Sequence, residues 1–306
     1  MIELLDQVID VSLYCSAEER IIASSVDKKG VNVLTIHHEP QYRTKDGSFS
    51  IVKRDEPNGY SFYRFDLTGD LLFSTPIHNE KYNIHHALLL PYDEILLVSG
   101  RCRYRGKTDI DKNARVYDTE GDLKRAFTIG DGIEDIKVDS QGQIWVSYFD
   151  EGIFGNYGWD DPLGAPGLIC WSNTGDNLWE FEPIDGLDEM ADCYAMNLDA
   201  DDNVWFYYYT EFPLVKLSPD KQLQQWNSGL SGSHSVHISG DLVLMSGDYD
   251  SADFVLFEMK EKKMKRIAEV QFRTAEEKVL GKRELISSMG STVAFLDGKK
   301  IFFKHL

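Results

Sequence analysis

Two short hairpin patterns alternate along the chain. In the first, apolar or aromatic residues flank a tight polar turn, as in Phe65-Asp66-Leu67-Thr68-Gly69-Asp70-Leu71-Leu72, Tyr117-Asp118-Thr119-Glu120-Gly121-Asp122-Leu123 and Trp171-Ser172-Asn173-Thr174-Gly175-Asp176-Asn177-Leu178. Weaker copies are Leu217-Ser218-Pro219-Asp220-Lys221-Gln222-Leu223 and Met259-Lys260-Glu261-Lys262-Lys263-Met264. Glycine supplies the positive φ that a tight turn needs, and the flanking residues suit a pleated, buried surface. The second pattern reads Ile136-Lys137-Val138-Asp139-Ser140-Gln141-Gly142-Gln143-Ile144-Trp145-Val146, then Met196-Asn197-Leu198-Asp199-Ala200-Asp201-Asp202-Asn203-Val204-Trp205-Phe206. Trp145 and Trp205 hold equivalent places, which predicts that both are core residues. Looser relatives occupy residues 21–34, 88–98, 236–245 and 287–295.

The two hairpins together repeat with a period of about 50 residues, in the range of propeller blades. A blade is a four-stranded antiparallel meander covered on both faces, so continuous apolar runs such as Ile95-Leu96-Leu97-Val98 are expected in it. The predicted fold is therefore all-β: a β-propeller of about six four-stranded blades forming one domain over residues 1–306. The blades are expected near residues 19–76, 85–130, 134–183, 194–228, 234–270 and 285–306. The last is one strand short. The amino-terminal segment, residues 3–12, is expected to supply that strand by pairing near residues 301–304, which closes the ring and removes its open edges.

Composition narrows the function. With 51 acidic against 32 basic residues the formal charge is −19, the opposite of what nucleic acid or an anionic membrane surface attracts. No stretch has the length and apolarity of a membrane span, and the first residues lack the basic start and apolar run of a secretory signal, so a cytoplasmic protein is expected. Cys15, Cys102, Cys170 and Cys193 stand far apart without paired spacing, as free thiols would. Cys193, beside Asp192 and Tyr194, is the one to weigh as reactive, against a buried small hydrophobe.

The hairpin Asp139-Ser140-Gln141-Gly142-Gln143-Ile144-Trp145-Val146 resembles those of the NHL, gluconolactonase (regucalcin-like) and streptogramin-lyase group of propellers. The resemblance covers the inner strands of two blades and concerns the fold. It implies a scaffold on which calcium and magnesium enzymes of that group use carboxylates and histidines from several blades, and those ligands have no residue-by-residue match here.

Candidate chemistry gathers in the long connections, residues 37–59, 100–113, 148–167, 184–192 and 271–284, which a meander sends to one face while its tight turns go to the other. His37, His38, His78, His85, His86, His234 and His237 fall in or beside them. A ligand site is expected at the channel mouth from His85, His86, Glu134, Asp135 and His234, joined by Arg101, Arg103 and Arg105. Those arginines belong to the run Arg101-Cys102-Arg103-Tyr104-Arg105-Gly106-Lys107, whose period-two spacing puts its cations on one side if the strand continues. Such a stripe suits a small anionic ligand or a carboxylate-bearing protein partner, or else it pairs with loop acids such as Asp111, Asp150 and Glu151. His86, Glu134 and His234 are candidate ligands for a divalent metal, against the alternative of a polar mouth whose groups bond one another and water. Aromatic residues of two loops, Tyr148, Phe149, Phe154, Tyr157 and Trp159 with Tyr207, Tyr208, Tyr209 and Phe212, either stack on a ligand or cover the core. The acidic string from Asp199 to Asn203 lacks the later Gly and Glu of a calcium loop and reads as a solvated turn. Two functions compete: a non-catalytic binding module for a small ligand or protein, and a metal-assisted lyase or hydrolase whose catalytic residues the sequence leaves unassigned.

Overall fold

The structure, a computed structural model, describes residues 1–45, 47, 50–261 and 263–306. Part of the expected connection 37–59 and Lys262, in the weak turn copy, lie outside the described residues. The chain forms consecutive antiparallel meanders. The first comprises Arg20–Asp27, Gly30–Ile36, Lys53–Phe65 and Leu71–Tyr82. The second runs through His86–Leu89, Ile95–Val98, Ala114–Tyr117 and Leu123–Phe127, and the third through Ile133–Val138, Ile144–Tyr148, Leu168–Trp171 and Asn177–Glu180. The fourth has Asp192–Leu198, Val204–Tyr209, Pro213–Leu217 and Leu223–Asn227. The fifth has Val236–Ser239, Leu242–Ser246, Phe254–Lys260 and Lys263–Arg273. A last group, Leu285–Ser288, Thr292–Asp297 and Lys300–His305, takes Asp6–Asp10 as its outer strand. Its inner strand also pairs in parallel with that of the first meander, Ser287 opposite Ser25, so these two meanders share one eight-stranded sheet.

Each sheet is covered on both faces. Gly30–Ile36, Ile95–Val98 and Ile144–Tyr148 are buried along their whole length, while outer strands such as Asn177–Glu180 are largely exposed. The core is accordingly a series of layers between successive sheets. Residues of successive sheets share one buried apolar cluster, Phe62 with Leu97, Val116 with Val146, Trp205 with Val243, Leu244 with Val293, and Ile301 with Val31.

A side-chain acceptor closes many of the tight turns. Asp66 Oδ1 accepts from the Thr68 and Asp70 amides at 2.8 and 3.0 Å, and Ser172 Oγ from those of Thr174 and Asp176 at 3.2 and 3.0 Å. In the second pattern the same carboxylate also holds the tryptophan. Asp139 Oδ1 accepts from Gln141 and Gln143, and its Oδ2 from Trp145 Nε1 at 3.1 Å. Asp199 repeats this with Asp201, Asn203 and Trp205 Nε1 at 2.8 Å. The left-handed position of the turn is Gly142 at φ 79° in one copy and Asp202 at φ 59° in the other. The Asp199 string is thus a capped turn, not a calcium loop.

The amino-terminal segment departs from the single strand expected. Ile2–Leu4 pairs in parallel with Lys263–Arg273 of the fifth meander, and only Asp6–Asp10 pairs with Lys300–His305. Residues Val11–Leu13 form a 3-10 turn. Between the two pairings Leu5 is buried in the layer with Phe254 and Phe295, whereas Ile9 and Val11 enter the layer with Val31 and Phe65. The segment therefore straps two sheets. Two other expected connections also contain strand: Lys53–Phe65 begins inside residues 37–59, and Lys263–Arg273 with Val279–Leu280 extends into residues 271–284. His78 lies on the strand Leu71–Tyr82 and is exposed.

Removing residues 1–12 should lower the melting temperature by many degrees, because two strand edges and three buried aliphatic residues lose their partners; a truncated chain that melts like the parent would overturn this account. Trp205→Ala should cost about 3–5 kcal/mol in urea denaturation. Asp199→Ala, which removes no apolar surface, should still cost about 1–3 kcal/mol through the indole and turn amides it leaves unpaired.

Candidate functional site

Inner strands all begin at the face carrying the long connections, so their first residues converge. Ile21, His85, His86, Glu134, Asp135, Tyr194, His234 and Ile286 line one cavity of about 400 Å³ along the channel. Three of these strands carry a bulge at the same level. The register skips one residue between Ile21 and Ala23, between Ile133 and Asp135, and between Cys193 and Ala195. Glu134 and Tyr194 are thus extra residues freed from the ladder on neighbouring strands, as bulges beside binding sites free a side chain.

Below them the channel is crossed by a polar brace. Lys137, buried on the third meander, donates to Asp135 at 2.8 Å and to Ser287 Oγ of the last, and Ser287 donates to Asp135 Oδ1 at 2.8 Å. Lys137 and Ser287 line both the mouth cavity and a second one of about 470 Å³ on the tight-turn side, so the brace divides the channel. Neither was among the expected site residues. The period-two spacing of Asp135 and Lys137 was a readable signal, but Ser287 lies 150 positions away.

Glu134 is exposed to water at the channel mouth, within a concave wall of protein. Burial, with Asp135 and Asp192 adding repulsion, pushes its carboxyl up to about 7. Asp192 is raised to about 6 by burial and by Asp150. The histidines move the other way. Burial holds His85 down to about 3, helped by His86 and Arg101, and His237 down to about 4. His86 and His234 are lowered for the same reason, with Lys282 adding to the effect on His234. At neutral pH these rings are neutral and each keeps an acceptor nitrogen.

The arginine run is not a strand. Residues 101–107 form an irregular loop in which Tyr104 makes an isolated bridge to Ile110, so the expected one-sided stripe does not exist. Arg101 is buried between the rings of Tyr157 and Phe149, 4.3 and 5.4 Å from its guanidinium, and pairs with Asp131 at 2.9 Å and with Glu151. Arg105 is held by Asp111 at 3.1 Å and Asp109 at 3.3 Å. Arg103 also lies over Tyr157, at 5.4 Å. Arg101 does border a cleft of about 630 Å³ that shares His85 with the channel mouth, alongside Arg43, Phe149, Asp150 and Tyr157. It enters that cleft already neutralised; of the three arginines only Arg103 is both exposed and without an acid partner among the described residues, so the expected stripe is reduced to that one cation.

His86, Glu134 and His234 share the cavity but do not make a metal centre: among the described residues no group of three or more His, Cys, Asp or Glu side chains is placed to hold a metal ion. Cys193 is buried, and burial pushes its thiol well up, the opposite of a reactive cysteine. Four of the nine aromatic residues cover the core, and Phe154 and Tyr209 are exposed. Tyr148, Tyr207 and Tyr208 are buried and donate to the carbonyls of Ile129, Leu230 and Asp188, and Trp159 donates to that of Cys102. Phe212 instead packs with Tyr194 and Tyr249 near the mouth, the Tyr194 hydroxyl meeting that of Tyr249 at 2.8 Å.

Among solved structures the chain is similar to selenomethionine-substituted virginiamycin B lyase from Staphylococcus aureus, with a TM-score of 0.52 at 8% identity over 99% of both chains. A streptogramin B lyase matches with a TM-score of 0.52 at 8% identity over 98% of this chain and 96% of its own. A chain of the mitotic checkpoint complex matches with a TM-score of 0.50 at 8% identity, covering 94% and 90%. The scaffold is a β-propeller. At these identities the likeness is one of fold alone, in keeping with the fold-level resemblance of the Asp139 hairpin. Residues 172–304, less than half the chain, match the model of the YxzG family. No curated protein sequence matches. No helix among the described residues is long and apolar enough to cross a membrane.

Arg101→Ala leaves the Asp131 carboxylate buried without its ion pair and should cost about 3–5 kcal/mol in chemical denaturation. The raised Glu134 carboxyl fixes a second outcome. Because the fold penalises its ionisation, it removes stability as pH rises from the ordinary carboxyl value of 4.5 through about 7. Glu134→Gln should therefore melt higher than the parent at pH 8 and alike at pH 4; a difference that does not change with pH would contradict the assignment.

Proposed function

We propose that the protein is a six-bladed β-propeller spanning residues 1–306, closed through the Asp6–Asp10 strand, and that it works as a binding module whose ligand or protein partner docks at the face where the inner strands begin. Closure is supported by the two pairings of the amino-terminal segment, by the parallel contact of Ser287 with Ser25, and by the apolar layer between Ile301 and Val31. The observation that carries the binding role is the pair of bulges that release Glu134 and Tyr194 into one concave, polar-lined cavity shared with His85, His86, Asp135 and His234. A cavity of about 400 Å³ beside a cleft of about 630 Å³ has the size of small-molecule sites. The free thiols of all four cysteines fit a reducing, cytoplasmic setting.

A second reading has one observation in its favour. A carboxyl raised to about 7, as in Glu134, is suited to proton transfer, which is the chemistry of a lyase or hydrolase.

Ligand-detected NMR with a set of small polar molecules tests the binding role. Hits should be lost in Glu134→Ala and Tyr194→Ala. Hits indifferent to both, and displaced instead by changes at the tight-turn face such as Lys216→Ala, would overturn it. Conversion of a hit to product, abolished by Glu134→Gln, would favour the second reading.

A further inference from the structure

We infer that the channel mouth is a receptor for a small organic cation, whose primary ammonium is held by Glu134 with its carbon chain against the ring of Tyr194. This rests on the binding role proposed above and names the chemical class of the ligand.

The first argument is charge pairing. Within the cavity Asp135 is neutralised by Lys137, and Lys282 at the rim donates to the Asp248 carbonyl with Asp248 and Asp250 beside it. Arg101 in the adjoining cleft is taken by Asp131 and Glu151. Among the described residues no cation pairs with Glu134 or with Asp192, and the charges acting on them are other carboxylates. The cations of the cavity, Lys137 and Lys282, are thus turned to protein acceptors, whereas Glu134 and Asp192 have no cation among the described residues.

The second argument is independent of charge. His237 is 3% exposed and lines the same cavity; its ring faces the Thr292 backbone, but neither ring nitrogen has a hydrogen-bond partner of normal geometry among the described residues. The Ser235 hydroxyl on its wall is also unpartnered. Buried polar atoms of this kind are costly unless something in the cavity bonds them. A neutral imidazole and a hydroxyl offer acceptors, and an ammonium brings N–H donors.

The third argument is the wall. Tyr194 and His234 line the cavity with Glu134, their rings 4.9 Å apart and Tyr194 backed by Phe212 at 5.5 Å and Tyr249 at 5.9 Å, so one wall of the cavity is aromatic. Aromatic faces beside a carboxylate favour alkylammonium groups. The brace of Lys137 and Ser287 floors the cavity and repels a cation from going deeper, which keeps an ammonium at the level of Glu134 and limits the ligand to a small molecule.

Isothermal titration at physiological salt with putrescine, 1,4-butanediol and succinate, three probes with four-carbon chains and different charge, tests the class. Putrescine should bind saturably, one per chain, while the neutral and anionic probes bind at least about tenfold more weakly. Glu134→Gln, which is expected to fold at least as well as the parent, should weaken putrescine by about tenfold or more. Asp70→Asn, which removes the same charge from an exposed tight turn, should leave it unchanged. Equal effects of the two variants would mean diffuse counterion binding and overturn the proposal. Succinate or butanediol binding that is lost in Glu134→Gln or Tyr194→Ala would overturn the cation class while keeping the binding face. No saturable putrescine binding overturns the class too, and the binding face is then judged by the NMR experiment alone.

Discussion

Burial of every sheet on both faces is the constraint from which the rest follows. A side chain in a regular ladder points to one face or the other, and here both faces meet an apolar layer, as at Val116 against Val146 or Leu244 against Val293. Regular strand positions are therefore committed to packing. Polar chemistry is left with the strand ends, the channel, and residues that escape the ladder. The bulges at Glu134 and Tyr194 provide such an escape: each inserts one residue without displacing the alternation that fills the layers on either side. The site is built from what the packing does not use.

Charge obeys the same economy. The chain is strongly acidic, yet its most buried cations are held by their own acids, Lys137 by Asp135, Arg64 by Asp27, and Arg101 by Asp131 and Glu151. Such internal pairs add little net stability but are expensive to break, so they fix loop and channel geometry more than they strengthen the fold. Glu134 and Asp192 stand in contrast, since burial and repulsion from neighbouring carboxylates raise both and no cation among the described residues pairs with either.

The parts of this structure that are written locally could be read from the sequence. A turn such as Asp139-Ser140-Gln141-Gly142 is closed by its own side chain, and Trp145 follows from that closure, so the hairpins and the core role of both tryptophans were legible. The convergence of His85, His86, Glu134, Asp135 and His234 was legible too, because it follows from where inner strands begin. The arginine run misled for a physical reason: alternation has meaning only on a strand, and Gly100 and Gly106 with the acid at Asp111 bend this segment into a loop. The bulges had a faint signal in the consecutive polar pair Glu134-Asp135 inside an apolar strand. The brace to Ser287 and the splitting of the amino-terminal segment had none, since both depend on residues far apart in the chain.

That split segment sets the order in which the molecule can be completed. The strand Asp6–Asp10 is synthesised long before its partner Lys300–His305, with every other meander between them. Until that partner is made the growing chain carries an unpaired edge and the uncovered aliphatic side chains of Leu5, Ile9 and Val11. Contacts of such long sequence separation form late and slowly. The nascent protein is consequently exposed to intermolecular strand pairing until Lys300–His305 has been made, and the docking of this early segment is a late event in its folding.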